Sequence, residues 1–210
     1  MNKLRKITCV GVQGYEDLHM EVGHLLALQG VSIITTGLIY HASYDYMRGV
    51  MKSGRSDVSR FAFTLPNEEI LHASDSTHPV FTNVIGFGSQ VISLLTRGAS
   101  SLTPSPEIGW ALRLGYLLSS DGYILTLSEF PETIALMEAI IYNNIVIHIP
   151  NGSVRKLTIL CPTTEMGDHI MAKIYRLHYP EWSQDIQVVK TVNSAQDAVN
   201  WVLKEELVQK

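Results

Sequence analysis

The strongest constraint on this chain's fold is an alternation that runs through most of its length. Short runs dense in β-formers are followed by stretches whose apolar residues recur at helical spacing. Lys6–Val12 reads as a strand and ends in the turn Gly11-Val12-Gln13-Gly14. Tyr15–Leu28 then carries a helical stripe of Leu18, Val22, Leu25, Leu26 and Leu28, stopped at Gly30. Val31–Thr36 is rich in β-branched residues, as a strand covered on both faces should be. A helix over Ser43–Lys52 is closed by Gly54, and a third strand over Ser59–Leu65 is stopped by Pro66.

Residues 67–106 are the least readable, with a helix expected near Ser89–Arg97 between loop clusters at Ser74–Pro79 and Gly98–Pro106. Beyond them come a helix over Pro106–Leu118, a strand over Tyr123–Leu127 and a helix carrying Ile134, Leu136, Met137, Ile140 and Ile141. Ile145–Ile149 and Leu157–Cys161 read as strands, and Pro150-Asn151-Gly152 leaves open that they form a hairpin. Thr163 or Thr164 can cap a helix reaching His178. The chain then reads as a strand over Ile186–Val189 and a helix over Ser194–Leu207, with Ala198, Val199, Trp201 and Val202 facing inward.

This order implies an α/β, Rossmann-like, doubly wound fold: a mostly parallel sheet with helices on both faces, in one domain spanning 1–210. Ligands in such sheets bind outside the carboxyl ends of the strands. Three segments are expected there: Gly11–Gly14, Thr35–Ser43 and Ser128–Thr133. Composition narrows the function classes. A net charge of −4 gives no support for a nucleic-acid or membrane-surface partner. No apolar run approaches the ~20 residues that span a bilayer. The segment ahead of the first strand lacks the apolar core of a signal peptide, and Cys9 and Cys161 read as buried thiols, so a cytoplasmic protein is expected.

Several residues are candidates for chemistry. Glu129 and Glu132 sit in the loop Ser128-Glu129-Phe130-Pro131-Glu132-Thr133, either as catalytic acids or as first-turn acids that complement a helix dipole. Arg113 is one polar position on an otherwise apolar helix, a ligand contact or a solvated arginine. Gly11, Gln13 and Gly14 form a turn that is structural or ligand-facing. Thr36, His41 and Ser43 offer hydrogen-bonding groups after the second strand, and Tyr44 and Tyr46 either stack on a base or pack. The eight histidines show no metal-ligand spacing, so neither a metal nor another cofactor is expected.

The arrangement resembles the LOG-like Rossmann proteins, the lysine-decarboxylase-like family that includes cytokinin riboside 5′-monophosphate phosphoribohydrolases. The resemblance covers most of the chain, with a poorly aligning middle. The family's GGGxxGLM signature corresponds to Gly37-Leu38-Ile39-Tyr40-His41-Ala42-Ser43-Tyr44, which keeps only Gly37. Its second signature, an arginine helix followed by PGGxGTxxE, corresponds to Arg113 and Thr133, twenty positions apart, with Asp121 between them. The glycines are lost, and the signature glutamate falls on Leu136 or Ala135 depending on the anchor. Neither supplies the carboxylate that N-glycosidic cleavage requires.

The resemblance therefore implies a divergent nucleotide- or nucleoside-binding protein without the family's hydrolase activity. It also implies a homodimer, and Ser128 and Thr133 as ligand contacts. The alternatives are an N-glycosidase using Arg113 with Glu129 or Glu132, and a structural subunit of a larger assembly.

Overall fold

The computed structural model describes residues 5–36, 42–55, 57–58, 60–64, 89–93, 114–115, 117–126, 139–140, 142–143, 155–161 and 189–204. They fall in two compact units, Met1–Ser120 and Asp121–Lys210. In the first unit the elements are β1 (Lys6–Val10), α1 (Glu16–Leu28), β2 (Ser32–Thr35), α2 (Ser43–Lys52), β3 (Arg60–Thr64) and β4 (Ser89–Ser93). In the second they are β5 (Gly122–Thr126), β6 (Lys156–Leu160), β7 (Val189–Val192) and α3 (Ala195–Leu203).

All pairings are parallel. β1 pairs with β2, β2 with β3 and β3 with β4; in the second unit β5 pairs with β6 and β6 with β7. The fold is α/β and Rossmann-like, as the alternation implies. Every residue of β1 after Lys6, every residue of β2 and every residue of β5 is buried, so side chains pointing to either side of these strands are covered. That is why these segments read as continuous apolar and β-branched runs instead of alternating ones. Thr8 is the polar exception in β1, and it donates a 2.8 Å hydrogen bond to the Leu117 carbonyl in a helical segment.

Residues 89–93 differ from expectation. They form a strand paired along its whole length with β3, not the start of a helix. Val91, Ile92, Leu94 and Leu95 satisfy a helical or an extended reading equally, and a partner strand distant in sequence decides between them. Of the expected strand Ile186–Val189 only Val189 is among the described residues, where it opens a strand over Val189–Val192, and the final helix ends at Leu203, not Leu207. In α1, Leu28 is 48% exposed, whereas His19 is fully buried beside Val22 and Leu26. The first strand of the alternative hairpin, Ile145–Ile149, lies outside the described residues. In α3, Ala198, Val199 and Val202 are buried as expected, and Trp201 is half-buried. Its N-terminus is capped by Ser194, whose hydroxyl accepts from the Asp197 N–H.

Successive crossovers from β1 to β2 to β3 step in one direction, which puts α1 and α2 on the same face of the sheet. They pack backbone to backbone. A Cβ on Gly23 would overlap the Tyr46 carbonyl oxygen, and one on Gly49 would overlap the Met20 carbonyl oxygen. Helical Gly115, by contrast, has open space where a Cβ would stand. Gly49→Ala is therefore expected to destabilise the fold by about 1–3 kcal/mol despite alanine's better helix propensity. Gly115→Ala is expected to be neutral or to stabilise by up to about 1 kcal/mol. Urea unfolding midpoints, compared at equal slope, check both signs.

Candidate functional site

The carboxyl ends of β1 and β2 are the described part of the expected cleft. After β1 the chain turns through Gly11-Val12-Gln13-Gly14 into α1, with Gly11 and Val12 buried and Gln13 and Gly14 exposed. Gly11 has to be glycine: a Cβ there would lie 2.5 Å from His19 Nε2 and 2.9 Å from the Ala42 Cβ. Gly14 meets a different demand. Its φ of +96° is left-handed, while the space where a Cβ would stand is open. The Gly14 N–H donates a 3.0 Å hydrogen bond to Glu16 Oε1.

Beneath the turn lies a polar and aromatic cluster. The His19 ring stands 4.8 Å from the Tyr46 ring and edge-on to Tyr15 at 6.5 Å. Tyr46 is fully buried and donates its hydroxyl hydrogen to the Val10 carbonyl at 3.3 Å. Tyr46 is thus a core residue that ties α2 to β1, and it is not available to stack on a ligand. Tyr44 is half-buried, with the Arg48 guanidinium 5.2 Å from its ring centre.

Beyond β2, Thr36 is buried and shares a 3.2 Å hydrogen bond with the buried Ser43 hydroxyl. The chain enters α2 through Ala42, the one described non-glycine residue with positive φ, at 54°. A left-handed alanine is strained by roughly 1–3 kcal/mol, and α2 has no side-chain cap at this end. Asp45, in the first turn of α2, is buried.

The charges around this cluster are unevenly solvated. N–H bonds from its own backbone and from Gly14 hold the Glu16 carboxyl below the usual carboxylate range. Burial pushes the His19 imidazole down to about 4, against a weaker upward pull from Glu16. Burial, followed by the Glu16 charge, pushes Asp45 up to about 6, with Arg48 opposing. His19 is therefore neutral at pH 7, and of these three groups Asp45 is the nearest to changing charge there.

The structure brings Gly11, Gln13, Gly14, Thr36 and Ser43 together at one end of the sheet, as the topology implies. Arg113, Glu129, Glu132, Gly37, His41, Ser128 and Thr133 lie outside the described residues. The sequence reading missed Glu16, His19 and Asp45. Two signals pointed to the first two: an acid two residues after the turn glycine, and a histidine inside the apolar stripe of α1. Among the described residues no three His, Cys, Asp or Glu side chains converge as a metal site, and no helix is long and apolar enough to cross a membrane. Cys9 and Cys161 are buried and not joined in a disulfide, and burial pushes the Cys9 thiol far up.

The sequence matches no protein-family model and no curated protein. Solved structures do match. Molybdenum cofactor carriers share this fold. The molybdenum cofactor binding protein of the phototrophic bacterium Rippkaea orientalis aligns with a TM-score of 0.56 at 14% identity, over 95% of this chain and 96% of that one. The molybdenum cofactor carrier protein of Chlamydomonas reinhardtii aligns with a TM-score of 0.55 at 14% identity, over 97% and 100%. At such identity the likeness is one of architecture.

His19 and Asp45 impose opposite pH dependences on stability. The unfolded chain protonates His19 near 6.5 but the folded chain only near 4, so this contribution is lost as pH falls through that interval. The folded chain keeps the Asp45 proton to about 6 whereas the unfolded chain releases it near 3.8, so this contribution is lost as pH rises from 3.8 through 6. Asp45→Asn is expected to be more stable than the parent at pH 7.5, on the order of 1–2 kcal/mol after discounting for residual solvation. The advantage should vanish below pH 4. Urea titrations across this range measure it.

Proposed function

We propose that this chain is a divergent LOG-like protein that binds a nucleotide or nucleoside in the cleft at the carboxyl ends of β1 and β2 and does not hydrolyse it. The observation that carries the reading is the Gly11-to-Gly14 turn standing beside the buried Thr36–Ser43 hydroxyl pair. The turn brings exposed backbone and the Gln13 amide to the cleft, and the buried hydroxyl pair fixes the entrance to α2 beside it. The absence of a carboxylate at Leu136 and Ala135 supports binding without N-glycosidic cleavage.

A second reading is carriage of the molybdenum cofactor, favoured by the alignment over nearly the whole chain with one protein that binds it and one that carries it. Both readings describe a small-molecule binder working as a homodimer in the cytoplasm, and they differ in the ligand. Arg113, Ser128 and Thr133 belong to the proposal as further ligand contacts.

Calorimetry against nucleosides, their 5′-monophosphates and the molybdenum cofactor separates the readings. Binding of one class with no release of free base is the expected result, and Ser43→Ala should weaken it about five- to tenfold through loss of one hydrogen bond. Absence of binding to every member of the panel at millimolar concentration rejects the proposal.

A further inference from the structure

The second unit gathers positive charge on one face of its strands. Side chains alternate between faces along a strand, so Lys156 and Thr158 of β6 share a face, and the pairing of Thr158 with Lys190 adds Lys190 of β7 to it. α3 covers that face: the Thr158 hydroxyl donates to the Ala198 carbonyl at 3.4 Å. One turn further along α3 stands Trp201. The Lys156 ammonium lies 5.3 Å from the centre of its ring and the Lys190 ammonium 5.1 Å. The two cations are therefore no more than about 10 Å apart, one Debye length at moderate salt. The electron-rich ring offsets part of their repulsion. Trp201 is half-buried, and its Nε1–H has no acceptor among the described residues. Lys156 also donates to the Lys204 carbonyl at the end of α3. Lys190 and Lys204 are exposed, and neither has a carboxylate partner among the described residues. The Asp197 carboxylate accepts from the Ser194 hydroxyl instead. Positive charge is thus left open to solvent around a half-buried indole.

A second feature lies beside this cluster. β7 pairs with β6 on one side and ends the row of strands on the other. The Cys161 N–H donates to the Val192 carbonyl, so in a parallel pair the backbone groups of Val192 and Lys190 face β6. Those of Thr191 face the open edge, where no described residue meets them. Such an edge is a template for an extended segment. A lysine there ordinarily discourages pairing, because an apolar segment would bury its charge; a segment that carries carboxylates would be held by it. We propose that the open edge of β7 and the Lys156–Trp201–Lys190 cluster together dock a short, extended acidic segment of a partner protein. Its backbone pairs with Thr191, and its carboxylates meet the Lys190 and Lys156 ammonium groups beside the Trp201 ring. A nucleic acid or an anionic membrane would bring many charges against a chain whose net charge is −4, whereas a short segment meets only the basic cluster. The surface belongs wholly to the second unit and does not depend on the ligand proposed for the β1–β2 cleft.

A blocked peptide alternating glutamate and valine, titrated to ~10 mM into the full chain, tests for millimolar or tighter affinity. The Trp201 indole N–H resonance, assigned by its loss in Trp201→Phe, and the Thr191 amide resonance are followed. Both should shift saturably in the parent, less so as salt is raised. The glutamine counterpart of the peptide should give no saturable shift, and Lys190→Gln should weaken binding of the glutamate peptide about two- to fivefold. No saturable shift in the parent overturns the proposal, as does equal binding of the glutamine peptide or unchanged affinity in a folded Lys190→Gln variant. Inorganic phosphate, phosphatidylserine vesicles and a short RNA serve as the other anions. Movement of the Trp201 indole with any of these as strongly as with the peptide marks a general anion surface and also overturns the docking. Every one of these outcomes is independent of whether nucleosides or the molybdenum cofactor bind, so a failure here is distinct from a failure of the proposed function.

Discussion

The candidate site depends on how closely α1 and α2 approach each other. Gly23 and Gly49 let the backbone of each helix rest on the other's carbonyl oxygens, with no side chain between them. That contact brings Tyr46 within reach of the Val10 carbonyl and seats His19 directly under Gly11. It also carries Ala42 to the same glycine, so the β1 turn and the entrance to α2 meet at van der Waals distance. A larger residue at any of these points would separate the helices and open the cluster. The left-handed Ala42 is explained the same way: the strain at one residue is held by packing on both sides.

Such close packing excludes water from ionisable groups, and their behaviour follows. His19 stays neutral because no solvent reaches it to support a charge, and Asp45 holds its proton to unusually high pH for the same reason. Glu16, in the open on the first turn of α1, goes the other way because backbone N–H groups hold its charge. Three titratable groups within one cluster thus have distinct characters, set by exposure and hydrogen bonding rather than by residue type.

Much of the architecture was legible in the residue order. α2 begins and ends where Ser43 and the Gly54 stop put it, and β1, β2, β3, β5 and β6 fall within a residue or two of the apolar runs that announce them. β4 was not legible, because its short apolar run fits two periods and its pairing with β3 is remote in sequence. Leu28, assigned to the apolar stripe, is exposed, and His19, not assigned to it, is buried, for a related reason. Helical spacing identifies a stripe, but only packing against α2 and β1 decides which edge of that stripe is inside. At the site, the glycines and hydroxyls of the two turns were readable from their positions after strands.

By itself the sequence determined the class of fold, the end of the sheet at which folds of this class bind ligands, and the lack of a carboxylate at Leu136 and Ala135. These follow from local composition and from rules of chain connection that hold for any alternating α/β chain. Only the tertiary structure decided that Tyr46 packs instead of stacking on a ligand, that Gly11 is needed to admit His19, and that Glu16 occupies the donor of Gly14. Each of these depends on distances of a few ångströms between elements, and residue order carries no such distances. Residue type marks where chemistry is possible, and burial with hydrogen bonding assigns which charge each group holds.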